Sequence, residues 1–340
     1  MYSLEFRSSM NLSTDGKSAE ATAPLAESHD TREPMGTVSV SLALLTVVLW
    51  GGTAVANQFA IDVYPPLFVG GIRFGLAAIF MVGWCWISGT SMILRGVQWW
   101  ISILLGALMF LQISTFNYGT AISNASHATV LVNSYVFWVA AYEAFIARTL
   151  HLRWYQTLGL FMAGAGVCVL VATSQGEEAS GMDQVSLWGD LVLAASGLTL
   201  AVKIITVKWA TKKVHPASLI LWHDVFGTLL LFMFSGLLET HSGAKLTIEA
   251  VAALLFGGIV ISGLCFVLNA QLLQKHGASQ VSVFSFVTPL CGILLAYFFR
   301  GDRLSGWLIV SGILVAAGIF LVNYVSRPAT AKFAESNDVA

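Results

Sequence analysis

Charge is scarce in this chain: Asp, Glu, Lys and Arg make up only 10% of its 340 residues, against roughly 25% in soluble domains. A globule of this length needs a charged coat to face water, so much of the surface must face something else. Neither sign of charge dominates, with a formal net charge of −1, and this excludes the basic footprint of a nucleic-acid binder. Cysteines are few and isolated: Cys85, Cys168, Cys265 and Cys291 stand singly in apolar runs. Without CxxC or any metal-ligand spacing, they imply no disulfide framework, no metal and no other cofactor. Also missing are HExxH and GxSxG, and no second acid lies near His223, so nothing points to hydrolysis. No connecting stretch is long enough for a soluble domain.

What is present is apolar sequence. Hydrophobic residues make up 56% of the chain and the mean hydropathy is +0.77. Crossing a hydrocarbon core takes about 20 apolar residues in a helix. Ten runs have that length, at roughly 38–61, 66–88, 97–120, 125–147, 153–173, 187–207, 216–238, 250–272, 278–299 and 304–325. Residues 1–36 differ sharply, being rich in Ser, Thr, Ala and Glu with no apolar run. They read as a disordered tail that lacks the apolar centre of a signal peptide.

Lysine and arginine in the loops set orientation. With the N-terminus inside, inner loops hold Arg95, Arg148, Arg153, Lys208, Lys212, Lys213 and Lys275, while outer loops hold Lys245, Arg300 and Arg303. This excess places both termini, with Arg327 and Lys332, in the cytoplasm, and the loop 174–186 outside. The chain is expected in the plasma membrane, as a monomer or a homodimer.

Shifting the sequence by 152 residues lays the first five runs on the last five. Gly75 then meets Gly227, Gly106 meets Gly258, Asn117 meets Asn269 and Gly166 meets Gly318. An odd number of spans per half turns the halves upside down relative to each other. The expected fold is thus an all-α integral membrane protein with ten transmembrane helices in two inverted five-helix repeats.

Short motifs carry a resemblance. Trp50-Gly51-Gly52, Pro65-Pro66, Arg73-Phe74 and Ala77-Ala78 occur in order in the first half. Ser282, Thr288-Pro289, Gly301-Asp302-Arg303-Leu304 and Gly312 follow in the second. Together they resemble the drug/metabolite transporter superfamily, EamA-like branch, over about residues 38–325. The resemblance implies one EamA-like repeat at 37–173, another at 187–326 and a C-terminal tail at 327–340. It also implies a carrier of small molecules such as amino acids, amines and other metabolites. The chain departs from the family pattern at Val136 or Phe137, where a span-4 proline is usual. The acidic residue after span 4 falls on Thr149, and the one after span 9 is Asp302 rather than Glu.

Ionisable residues within spans are costly and mark function or pairing. Arg73, Glu143, Lys203 and Asp224 fit that description. At 1.5 Å per residue, Arg73 lies about 10 Å below the outer face and Asp224 roughly 12 Å above the inner one. Glu143 and Lys203 lie about 6 Å from the inner face, close enough in depth to pair, with Arg73 apart from the other three. His223 and Asp224 point about 100° apart on a helix, and Asp224 is the favoured functional partner. These five residues are candidates for coupling or gating. At mid-depth, Trp50, Asn133, Tyr135, Thr288 and Asp224 are candidate substrate-binding residues. Gly51, Gly52 and Pro289 are candidate helix breaks that free backbone groups for a central site. Gly71 and Gly75 form a GxxxG expected to allow close helix packing.

The expected function is a secondary transporter that moves a small organic solute across a lipid bilayer by alternating access, with protons as the coupling ion to test. A sugar-nucleotide or sugar-phosphate transporter of the same superfamily is the alternative. A channel ranks below both, because no ring of like charge is visible.

Overall fold

The computed structural model describes residues 35–148, 153–173, 185–241, 247–276 and 281–324. The tail before residue 35, Thr149, most of the loop 174–186, Lys245 and the tail with Arg327 and Lys332 lie outside the described residues. Every regular element among the described residues is helical.

Ten helices are long and apolar enough to cross a membrane. They are span 1 Thr37–Ile61, span 2 Pro66–Ile87, span 3 Val97–Ala121, span 4 Ala125–Ile146 and span 5 Trp154–Thr173. The second half adds span 6 Leu187–Ala210, span 7 Pro216–Leu238, span 8 Ile248–Asn269, span 9 Val283–Arg300 and span 10 Gly306–Asn323. Spans that alternate in direction put Thr37 and Asn323 on one face, called here the terminal face, with the distal face opposite. Polar residues set the starts. Asn124, Ser186, Thr247 and Ser305 each accept a backbone N–H from the first turn of the helix they precede, which satisfies an otherwise orphaned donor. Span 2 opens on Pro65-Pro66, and its first turn receives a carboxylate from another span. Glu239 accepts the amides of Leu67 and Phe68 at 2.7 and 3.0 Å, so a negative charge meets the positive end of a helix.

The outward surface is apolar. Trp86 is 80% exposed and Trp154 78%. With Trp100, Trp188 and Trp307 they sit at helix ends, where amphipathic rings mark the level of lipid headgroups.

Packing between the halves obeys a twofold exchange. Spans 2 and 7 pack on each other, as do spans 4 and 9 and spans 5 and 10. Span 3 packs on spans 6 and 7, and span 8 correspondingly on spans 1 and 2. Glycines related by the 152-residue shift occupy matching crossings. A Cβ on Gly106 of span 3 would strike Phe226 and lie 3.1 Å from the Gly227 nitrogen of span 7, while one on Gly258 of span 8 would lie 2.8 Å from the Arg73 carbonyl oxygen of span 2. Gly166 abuts Ser311 and Val315 of span 10, and Gly318 abuts Gly159 and Ala163 of span 5. Where the driving force is packing rather than water exclusion, small residues let backbones approach this closely. Gly71 plays the same part between spans 2 and 7, facing the Phe232 ring.

Several spans are interrupted. Span 1 turns at Gly52, between helical segments Thr37–Gly51 and Thr53–Ile61. Span 4 turns at Ser134, between Ala125–Asn133 and Tyr135–Ala141, although no proline is present. Span 9 begins as a 3-10 turn over Val283–Phe286 before Val287–Arg300. The break therefore lies upstream of Pro289, because a proline removes the N–H that the carbonyl four residues back would have received. Ser134 and Phe286 are related by the 152 shift, so the break recurs in both halves while the proline does not. Span 8 contains a π-helical stretch, Phe256–Leu264.

Candidate functional site

Polar side chains buried in the interior lie mainly on spans 3, 4, 6 and 7, with Arg73 on span 2. Arg73 is 6% exposed and Asp224 2%. The Arg73 Nε donates to the Gly257 carbonyl oxygen at 3.3 Å, within the π-helical stretch of span 8. Gly257 permits this: a Cβ there would lie 3.1 Å from the arginine Cδ. The guanidinium also lies 5.3 Å from the ring centre of Phe74.

Lys203 turns toward span 3. Its Nζ donates to Gln112 Oε1 at 2.9 Å. Gln112 is held in turn by Ser196, whose hydroxyl donates to the Gln112 carbonyl oxygen at 3.0 Å. The expected pairing of Lys203 with Glu143 does not occur. Glu143 Oε1 instead meets Lys208 Nζ at 2.5 Å. Five residues separate the two lysines, which places them roughly 140° apart around span 6, so depth alone was a poor guide to partners.

His223 and Asp224 fold against each other, with Nδ1 2.9 Å from Oδ1. The angle leaves both imidazole nitrogens, though buried, without a well-formed hydrogen bond. The structure thus pairs His223 with Asp224, turns Arg73 to span 8 and Lys203 to span 3, and sets Glu143 against Lys208 near the terminal face.

The mid-depth candidates form a separate crossing. A Cβ on Gly51 would lie 3.0 Å from the Thr288 carbonyl oxygen, so spans 1 and 9 touch where the sequence places Trp50, Gly51, Thr288 and Pro289. Gly292 faces Thr129 of span 4, and the Asn133 amide donates to the Thr129 carbonyl oxygen at 2.7 Å. Ser134 faces Gly197 of span 6. Trp50 and Tyr135 are half-buried beside these crossings.

Sequence reasoning missed the polar seal near the distal face. His127 Nδ1 lies 2.7 Å from Asp190 Oδ2, and the two side chains are 2% and 0% exposed. Ser123 Oγ donates to Asp190 Oδ1 at 2.8 Å. Asp302 Oδ2 accepts from the nitrogen and the hydroxyl of Ser126 at 2.9 and 2.7 Å. These bonds tie the start of span 4 to span 6 and to the end of span 9. Arg300 and Asp62 pair at 2.8 Å between spans 9 and 1. Asn57, five residues beyond the Gly52 turn, is 2% exposed and neither atom of its amide meets a partner.

Burial along span 4 is one-sided. Of Ala125–Asn133, only Val132 is not buried, whereas of Tyr135–Arg148 only Ala140 is. The half nearer the distal face is enclosed by its neighbours, and the half nearer the terminal face is covered less, with apolar Trp138, Phe145 and Ile146 exposed. Among the described residues no group of His, Cys, Asp or Glu is placed to hold a metal ion.

Known proteins share this architecture. A family model described as the EamA-like transporter family matches residues 37–172 and again 187–324. The chain is 25% identical over 286 residues to the uncharacterized transporter YoaV of Bacillus subtilis (strain 168), covering 84% of this chain and 96% of that protein. It is 27% identical over 291 residues to a "Probable amino-acid metabolite efflux pump" of Salmonella typhimurium, covering 82% of this chain and 93% of that protein. A solved crystal structure superposes with a TM-score of 0.60 at 15% identity, over 84% of this chain and 96% of the other, which speaks for the fold alone. With ten apolar helices, two family matches of five spans each and transporters among its relatives, the chain is a multi-pass membrane protein that belongs to the EamA-like transporter family.

Proposed function

We propose that the protein is a secondary transporter that moves a compact organic metabolite, an amino acid, amine or similar solute, across the plasma membrane by alternating access. The single observation that carries this reading is the exchange of packing between the two halves, in which spans 4 and 9 meet and each is broken near mid-depth. Two inverted halves around a central crossing are what alternating access needs, because the central site meets one compartment at a time. The basic loops favour a cytoplasmic terminal face. The repeated breaks at Ser134 and Val283–Phe286 supply bends near mid-depth in both halves. Relatives named as amino-acid metabolite efflux pumps support the solute class.

A sugar-nucleotide or sugar-phosphate carrier is the second reading, favoured by the two cations Arg73 and Lys203 within the spans. A diphosphate calls for several convergent cations, and these two turn toward different spans.

Purified protein in liposomes, screened for counterflow of amino acids, amines and nucleotide sugars with and without a pH gradient, tests the reading. Saturable counterflow of a small metabolite is expected. Equal passage of all solutes, with no saturation, would indicate a channel instead.

A further inference from the structure

We infer that the cavity at the distal ends of spans 1 and 3 is a binding site for an organic ammonium group, with Asp62 as its counter-ion. Its place on a transport route rests on the transport reading, and its chemistry on the cavity itself.

The cavity measures about 440 Å³ and is lined by the turn Ile61–Pro66, by Ala121 and by Thr240 and His241 after span 7. That volume lies in the range of small-molecule sites and is far larger than a bare metal ion requires. Its wall is rich in acceptors and poor in donors. Span 1 ends at Ile61 and span 3 at Ala121, and the last carbonyls of a helix have no partner within it. The residues that follow in the turn do not cover them. Pro65 and Pro66 have no N–H, and the N–H groups of Leu67 and Phe68 are both taken by Glu239. The amides of Asp62, Val63 and Tyr64 turn back to Gln58 and Ala60. Among the described residues, the carbonyl oxygens of Ile61, Asp62, Val63, Tyr64 and Ala121 accept no backbone N–H. Two helices therefore bring their negative ends to the cavity. The positive start of span 2 also borders it, but the Glu239 carboxylate lies on that end.

Side chains add to the same sign. Asp62 is 49% exposed; its Oδ2 meets Arg300 at 2.8 Å, and its Oδ1 meets no donor among the described residues. Arg300 is only 18% exposed and rests over the Phe59 ring, 4.6 Å from its centre, outside the residues that line the cavity. Tyr64 gives the wall an aromatic surface. Its ring is braced by Phe68 at 5.8 Å, and His241 packs on the same Phe68 at 5.3 Å. An ammonium gains from a carboxylate and from an aromatic face, whereas an anion here meets a like charge and few donors.

A pair of probes, 2-phenylethylamine and 3-phenylpropanoate, shares one skeleton and carries opposite charges. Calorimetry on the full chain in nanodiscs of zwitterionic lipid, corrected for empty nanodiscs, reads binding without any transport step. The amine is expected to bind, and the carboxylate to bind about tenfold more weakly or less. Asp62→Asn should weaken amine binding about tenfold, the worth of one charge-assisted hydrogen bond, while Asp62→Glu keeps most of it. Arg300→Gln should act in the opposite sense and tighten amine binding roughly two- to fivefold, because it removes a cation that competes for Asp62. A merely structural clasp between Asp62 and Arg300 would shift both variants in the same direction. Melting temperature and elution volume show whether a variant is folded. Should Arg300→Gln fail to fold, the contrast between Asp62→Asn and Asp62→Glu, at a half-exposed side chain, carries the test. Equal binding of the two probes, or amine binding indifferent to Asp62→Asn, overturns the site even where liposome counterflow succeeds. Amine binding that depends on Asp62, in protein that moves nothing in liposomes, keeps the site and removes the transport reading.

Discussion

His127 of span 4 and Asp190 of span 6 meet at 2.7 Å in the interior near the distal face, with almost no surface open to solvent on either side chain. The contact joins the two halves of the molecule, since span 4 belongs to the first five helices and span 6 to the second. Its burial sets it apart from the Glu143–Lys208 pair near the terminal face.

Removing one partner of a buried pair leaves the other without compensation, which costs about 3–5 kcal/mol when the remaining group is charged. His127→Ala and Asp190→Ala should therefore each lower the melting temperature strongly. The double variant should lose less than the sum, by at least ~0.5 kcal/mol, because the residues touch. Additive losses in detergent melts would mean that the contact contributes nothing of its own.

The pair between Glu143 and Lys208 offers the contrast. Lys208 is 72% exposed, and exposed ion pairs contribute about 0–1 kcal/mol. Glu143→Gln should shift thermal stability by no more than that amount. A loss comparable to that of Asp190→Ala would show that this end of span 4 is far better packed than its exposure indicates.

Asp224, 2% exposed within span 7 and beside His223, is the candidate carrier of a coupling proton, with Glu143 second in line. Asp224→Asn cannot release a proton, so uptake driven by a pH gradient should vanish. Counterflow should persist, since it needs no net proton movement. Unchanged gradient-driven uptake would remove Asp224 from this role, and loss of both activities with poor expression would assign it to holding helices together.

Orientation is tested by chemistry at one loop. In a background free of cysteine, Ser180→Cys should react with an impermeant maleimide added outside intact cells, because the basic residues crowd the opposite loops. Labelling only after the cells are opened would reverse the topology.

Depth was legible in the sequence and azimuth was not. Length and hydropathy set the spans to within a few residues, because an apolar run has only one stable place in a bilayer. The 152-residue shift was equally visible, and Gly106, Gly166, Gly258 and Gly318 all lie at crossings that exchange under it. Lys203 was assigned to Glu143 because both lie at one depth, yet Lys208 faces Glu143 and Lys203 faces Gln112. His127 and Asp190 escaped notice because each opens a helix, where a polar residue reads as a cap or as a headgroup contact. Their burial comes from neighbouring spans, which no local pattern announces. Pro289 follows the 3-10 turn of span 9 by three residues, whereas the equivalent break at Ser134 has no proline to signal it.

The seam between spans 5 and 10 bears on how such a chain can exist at all. Gly318 presses on the Gly159 carbonyl oxygen and on Ala163, and Gly166 on Ser311, so the last helix of each repeat offers the other a strip of bare backbone. A repeat standing alone would carry that strip toward lipid, where it has nothing of matching shape to touch. It could cover the strip only by meeting a second copy inserted upside down, an encounter that depends on how many copies the membrane holds. Joining the two copies end to end makes the meeting intramolecular and independent of abundance. It also frees each copy to vary on its inner face, so that one half can keep an arginine one residue from where the other keeps an aspartate.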